Sequence, residues 1–368
     1  MMKHPLISSQ NSILHKALIL IVSCVLFSFL QAQDAEKQSK KFNIFPIALY
    51  NSDIGFGIGA KTFFKNYFQK RESLDLTVFA SSKGQQWYAF QFSLPDFELR
   101  QGKYYPLAFD LRIEWDKLLV SNFFGIGNNT PDNEYQFPRE LFRLSPVFSH
   151  TFSKRFIAEL GYQFTQYVVY GYDSQWGTIT EDTPGATPHQ VSFLYGSLRL
   201  DTRNSHINPN KGCRLYFKTS LSREKLGSDW NYTLYRLEGS IYQKIISPKH
   251  ILAARLWLQD IDGIAPYQEL SKIGDGWTAR GYKADRFLDN AMILTSLEYR
   301  FPLYKPLGGV LFTDTGRVSE SLGALTLDDW HFNVGWGLRY YLTTFIARFD
   351  MGISHEGMRL FFNFGHVF

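Results

Sequence analysis

From residue 42 to its end the chain alternates apolar and polar side chains at every second position, in one short segment after another. Beyond residue 30 no apolar run reaches the ~20 residues that a membrane-crossing helix needs. Period-two alternation sends successive side chains to opposite faces of a strand, so each segment has one apolar and one polar face. Around 105–116, Leu107, Phe109, Leu111, Ile113 and Trp115 share one face, against Asp110, Arg112 and Glu114 on the other. Three charges on one face need water or partners. Aromatic residues are 17% of the chain, yet mean hydropathy is only -0.20, so the rings are dispersed rather than concentrated in helices. This combination fits an all-β, antiparallel transmembrane β-barrel, in which lipid-facing and lumen-facing residues alternate and rings form interface girdles. A soluble β-sandwich or lipocalin-like barrel is the alternative at this point.

The alternation resolves into about sixteen segments, an even number as single-chain bacterial barrels require. They lie near 42–50, 55–65, 74–82, 86–96, 105–116, 141–152, 155–170, a stretch ending at 204, 214–223, 232–245, 251–260, 292–301, 308–318, 332–342, 345–354 and 359–368. The four longest connections follow the fifth, seventh, eleventh and thirteenth segments, so parity puts them on one side, the extracellular side if the first strand rises from the periplasm. Only the connection 204–212 is long for the opposite side. Pro46 in the first strand removes one ladder donor.

Ahead of the first strand, Lys3 and Lys16, the apolar stretch 17–30 and Gln31-Ala32-Gln33 read as a signal peptide over 1–33, which predicts an exported protein. The stretch 34–41 is then a short periplasmic segment and 42–368 the barrel. Ile21-Val22-Ser23-Cys24 has the form of a lipoprotein box, but the apolar run continues through Leu30. Losing Lys3 and Lys16 lowers the formal charge from +5 to +3, too near neutral to imply a nucleic-acid partner. After cleavage Cys213 has no partner for a disulfide, and no cofactor loop or metal constellation is legible.

Four stretches carry a family resemblance: Asp201-Thr202-Arg203 with Asn208-Pro209-Asn210-Lys211-Gly212; Ala279-Arg280-Gly281-Tyr282; Phe312-Thr313-Asp314-Thr315-Gly316; and a last strand running through Phe364 to Phe368. In this order and strand register they resemble the Omp85 superfamily, the bacterial surface antigen D15 barrels of BamA/TamA type. The resemblance implies that the sixth extracellular loop folds back into the lumen. There Arg280 would meet Glu298 and Asp314 on the inner wall, and Gly281 would permit close backbone approach or positive φ beside Tyr282. Parity puts Glu298 on the inward face with Ser296 and Arg300, and an arginine fork suits carboxylates. Asp201, Arg203, Pro209 and Gly212 read as a turn motif, and Phe364 and Phe368 resemble the C-terminal signal read by the barrel-assembly machinery.

The implied function is protein or lipid insertion or translocation at the bacterial outer membrane, with membrane lipid as surroundings. The eight or so residues of 34–41 cannot encode a POTRA domain, so a separate periplasmic partner would have to supply client docking. A passive or loop-plugged porin-like channel is the alternative, with inward Arg112, Arg214, Lys218, Arg236 and Arg339 setting solute preference. A hydrolase needs a serine beside a histidine. Ser149-His150 and Ser354-His355 are adjacent on strands and so point to opposite faces, and no enzyme is expected.

Overall fold

A computed structural model describes residues 41–132, 135–170, 182–342 and 346–368. The predicted signal peptide and nearly all of 34–41 lie outside the described residues. The first strands are β1 (Lys41–Asn51), β2 (Gly55–Lys65), β3 (Ser73–Ser81), β4 (Gln86–Leu94), β5 (Ala108–Phe123) and β6 (Tyr135–Thr151). Next come β7 (Phe156–Val169), β8 (His189–Asp201), β9 (Gly212–Ser222), β10 (Tyr232–Lys244) and β11 (Ile251–Gly263). Two short strands, β12 (Ser271–Ile273) and β13 (Phe287–Asp289), precede β14 (Ala291–Tyr304), β15 (Leu307–Ser319), β16 (His331–Tyr341), β17 (Ile346–Ser354) and β18 (Gly357–Phe364).

Sixteen of these close into one antiparallel barrel in chain order, with β14 pairing directly to β11 and β18 returning to β1. β12 and β13 form a separate ribbon within the connection between β11 and β14. The alternation sorts the two faces as expected: Leu297 is 43% exposed while its neighbour Glu298 is 0% exposed. Leu76, Val78, Leu215, Phe217, Leu311 and Trp336 are likewise exposed on the outer face. Closure matters because a bilayer offers no hydrogen bonds to an open sheet edge.

Four features depart from the sequence reading. The strand expected over 86–96 stops at Leu94, because Asp96 caps a short helix, α1 (Phe97–Arg100), accepting from Leu99 N at 3.0 Å. The long loop expected over 119–140 is largely strand, since β5 and β6 continue past a register irregularity between Leu118 and Ser121. A bulge there shifts the alternation by one residue, which hides the continuation from a period-two reading. The ribbon of β12 and β13, three residues each, is too short to show a period. The last strand ends at Phe364 rather than 368, where Gly365 takes φ +82 and turns the chain out of the sheet.

That early ending leaves β1 and β18 paired only at Tyr50–Phe362 and Asn51–Phe361, whereas β1 pairs with β2 along its whole length. Pro46 lies in the stretch of β1 that has no β18 partner, where its missing N–H removes no ladder bond to that strand. Toward the long-loop end an apolar cluster packs loop residues Tyr267, Leu270 and Leu288 against Phe123, Phe137 and Tyr167.

Candidate functional site

The connection 264–290 runs against inward-facing residues of β14 to β18, and glycines on that wall make the room. Gly335 and Gly352 stand opposite each other in the β16–β17 register, and a Cβ at Gly352 would collide with the Arg280 carbonyl. At Gly281 φ is not positive. The position needs glycine for close approach, since an added Cβ would sit 2.5 Å from Asn333 Cβ and 2.9 Å from Ser354 Cβ. Ser354 Oγ donates to the Gly281 carbonyl at 2.8 Å, fixing the loop backbone on β17.

Arg280 is fully buried. Its Nε and Nη2 donate to the two oxygens of Asp314 at 2.9 Å each, and its Nη1 to Glu298 Oε1 at 2.6 Å. A further bond runs from Nη1 to Asp350 at 3.3 Å, and the backbone N–H of Arg280 reaches Asp314 at 3.2 Å. The guanidinium carbon lies 3.5 Å from the Phe312 ring centroid, so one face of the cation is covered by an aromatic ring. Desolvating this charge is costly, and the fork compensates only because every carboxylate oxygen near it is aimed at an N–H.

Asp314 is steadied by Asn333 Nδ2 at 3.1 Å, and Glu298 by Arg300 Nε at 2.8 Å. Tyr282 OH donates to the Phe332 carbonyl at 3.1 Å, and its ring packs on Phe287 and His331. Asp275 accepts from the backbone N–H groups of Trp277 and Thr278 at 2.7 Å each, closing the turn before the arginine. On the other side of the loop a cavity of about 420 Å³, lined by Asp53, Asp116, Asn122, Asp275 and Trp277, separates it from β1 and β3 to β6.

Arg280, Gly281, Tyr282, Glu298 and Asp314 thus converge on one place. The sequence reading missed Asp350 and Arg348; it had Arg339 as an inward charge and Phe312 in a motif stretch, but assigned neither to this site. Arg339 donates to Asp350 at 2.5 Å, and Arg348 sits over the Trp277 ring at 4.3 Å. A partial signal exists, since Arg348 and Asp350 are two apart on one strand and share its inward face.

The turn motif closes on itself, well away from Arg280. Arg203 forms a fork on Asp201, with Nε and Nη2 at 3.0 and 2.8 Å. Although burial works against its charge, the bonds to Asp201 raise Arg203 above its ordinary value. Asn204 Oδ1 accepts from the N–H groups of Asn210 and Lys211, and Gly212 takes φ +104 with no room for a Cβ beside the Thr202 carbonyl. Phe364 closes β18, whereas Phe368 lies beyond the sheet with its ring 6.4 Å from Tyr242. The serines and histidines of the two Ser-His pairs each meet other groups, His355 in the turn after β17 facing the Tyr282 hydroxyl at 3.2 Å. Ser149 meets Arg100 while His150 meets the Pro106 carbonyl, and Ser354 is committed to Gly281.

The barrel of BamA from Haemophilus ducreyi lacking POTRA domains 1-3 superposes with a TM-score of 0.65 at 15% identity, over 89% of this chain and 71% of that one. CdiB from Acinetobacter baumannii gives 0.58 at 13% identity over 89% and 60%, and CdiB from Escherichia coli 0.62 at 10% over 91% and 69%. At such identities the likeness is one of fold. No curated protein matches the sequence. The Omp85 superfamily domain model matches residues 61–368, which is most of the chain, and with the closed sixteen-stranded barrel it establishes that this protein belongs to the Omp85 superfamily.

Proposed function

We propose that the protein resides in the bacterial outer membrane and assists insertion or translocation of protein or lipid there, by opening between β1 and β18. The observation that carries this reading is the seam. Each barrel strand is held to its neighbours along most of its length except here, where two residue pairs close the sheet and 41–49 keep an edge with no strand beside it on that side. A bilayer does not tolerate such an edge without compensation. Separating these few residues takes a small fraction of the energy that any other strand pair would need, so opening is confined to this place.

In the same reading the loop 264–290 braces the wall. Arg280 ties it to β14, β15 and β17, which keeps that half of the barrel rigid while the seam moves. The outer-membrane setting rests on the family and on the apolar outer face, and the barrel-assembly machinery, reading the Phe364–Phe368 region, is the expected partner in biogenesis. A periplasmic partner is proposed for client docking.

The test is a cysteine pair at Tyr50 and Phe362, which face each other across the seam at a separation a disulfide can span, with Cys213→Ser to prevent mispairing. The refolded chain in liposomes should accelerate insertion of a small unfolded barrel client. The oxidised pair should lose that acceleration and regain it with reductant. Equal acceleration in both states would exclude opening at this seam, and a large steady conductance of the wild type would replace the reading with a porin-like channel.

A further inference from the structure

Past Phe364 the chain does not simply stop at the barrel wall. Residues 365–368 turn in over the short-turn end of the barrel, and His366 Nε2 meets Asn208 Oδ1 in the β8–β9 turn at 3.2 Å. Strands β18 and β8 lie far apart in the closed sheet, so the tail and the β8–β9 turn reach toward each other over the mouth. Arg300 Nη2 donates to the Phe368 carbonyl at 3.1 Å, and the Phe368 ring rests near Tyr242 and Arg255. Between tail and turn lies a recess of about 420 Å³ whose polar lining is Arg203, Arg214, His206 and His366, and whose apolar lining includes Ile207 and Phe368.

This recess sits in an excess of fixed positive charge. Arg203 is neutralised by Asp201, but Arg214 shares Glu238, at 3.4 Å, with Arg236, which holds the same carboxylate at 2.6 Å. Deeper in the lumen the arginines Arg255, Arg280, Arg300, Arg339 and Arg348 outnumber the buried carboxylates near them among the described residues, Glu298, Asp314, Asp350 and the already shared Glu238. Burial first, and then the charges of Arg300 and Arg339, hold the His366 imidazole well below its ordinary value, so the charge here comes from guanidinium groups. Buried donors are also left over. Above the recess, Arg300 Nη1 and all three guanidinium nitrogens of Arg348 have no hydrogen-bond partner among the described residues, while His366 Nδ1, the lone-pair nitrogen of a neutral ring whose Nε2 serves Asn208, is an unpartnered acceptor. His366 itself is nine-tenths buried. A concave surface lined by cations and backed by further arginines concentrates positive potential there.

We propose that this recess binds a phosphate group, either free or on a lipid headgroup. Arg214, the least neutralised cation on its wall, contacts the anion, while Ile207 and Phe368 accept whatever apolar portion the phosphate carries. Guanidinium donors suit phosphate because two N–H groups can reach two oxygens at once. Binding here does not depend on whether the seam opens.

Titration calorimetry tests it, with inorganic phosphate added to the refolded chain in octyl glucoside, a detergent that contains no phosphate. Saturable binding is expected, weakened about tenfold or more by Arg214→Gln, which removes a charge-assisted bond. Ile207→Glu, an exposed substitution that places a carboxylate at the recess, should abolish binding, and Lys211→Gln on the same turn should leave it unchanged. Heat-modifiable gel mobility checks that each variant is a folded barrel. Displacement by soluble dihexanoyl phosphatidylglycerol would identify a headgroup as the occupant, and its failure to compete would identify free phosphate. No saturable binding, undiminished binding by folded Arg214→Gln, or acetate binding as tightly as phosphate would each overturn the proposal.

Discussion

Arg280 shows how much a single side chain can be asked to hold. Its fork serves both oxygens of Asp314 and one of Glu298 from a position with no solvent exposure, so removing it leaves Asp314 buried with Asn333 alone, while Glu298 keeps Arg300. Arg280→Ala is therefore expected to cost about 3–5 kcal/mol, the usual penalty for breaking a buried ion pair from one side. The check is the unfolding midpoint of the barrel in urea. Arg280→Lys keeps the charge but loses the two-pronged geometry and should recover only a fraction of the loss. Gly281→Ala should destabilise too, through the clash with Asn333 and Ser354, while Gly281 has no left-handed backbone to protect. If alanine at 281 is neutral in the same melt, the close approach of loop to wall is wrong. Arg280, Glu298 and Asp314 are legible in the sequence through the family resemblance of the stretches they stand in, with parity placing Glu298 on the inward face. Asp350 is not, since nothing local tells an inward aspartate which cation it will face.

Among the elements, the departures concentrate where the strand period is interrupted. The bulge between Leu118 and Ser121 hides the upper halves of β5 and β6, and Gly365 cuts β18 short. The turn joining β8 and β9 behaves in the opposite way: its Asp-Arg fork, asparagine bonds and Gly212 are all within a dozen residues, and so are readable in sequence. Gly212→Ala must place a Cβ against the Thr202 carbonyl in a left-handed backbone, and should slow refolding and lower stability by roughly 1–3 kcal/mol. A refolding time course of the two chains decides it. Phe368→Ala removes the ring that packs on Tyr242 beneath Arg300 and Arg255, and is expected to loosen the tail without unfolding the barrel. The readout is faster proteolytic trimming of the C-terminus with unchanged heat-modifiable mobility.

For the molecule as a whole the question is whether the lumen conducts. With 264–290 packed on one half of the wall and held to β5, β6 and β7 by the apolar cluster around Tyr267, the wild type is expected to be electrically quiet in planar bilayers. Arg280→Ala should show frequent openings as the loop loses its tie. A steady, large wild-type conductance would place solute passage ahead of insertion as the working reading.

Local patterning along the chain was enough to set the class of structure, the number and direction of strands, and which face of each strand meets the apolar exterior. Those follow from period-two alternation and parity, which are properties of neighbouring residues repeated from segment to segment. Which charges meet, where the sheet is weakly closed, and that the tail meets the β8–β9 turn became visible only in three dimensions. Each of these brings together residues many strands apart, such as Arg280 with Asp350 or His366 with Asn208. Closure of a barrel sets those distances through the register of every strand pair at once, which no single stretch of the chain contains.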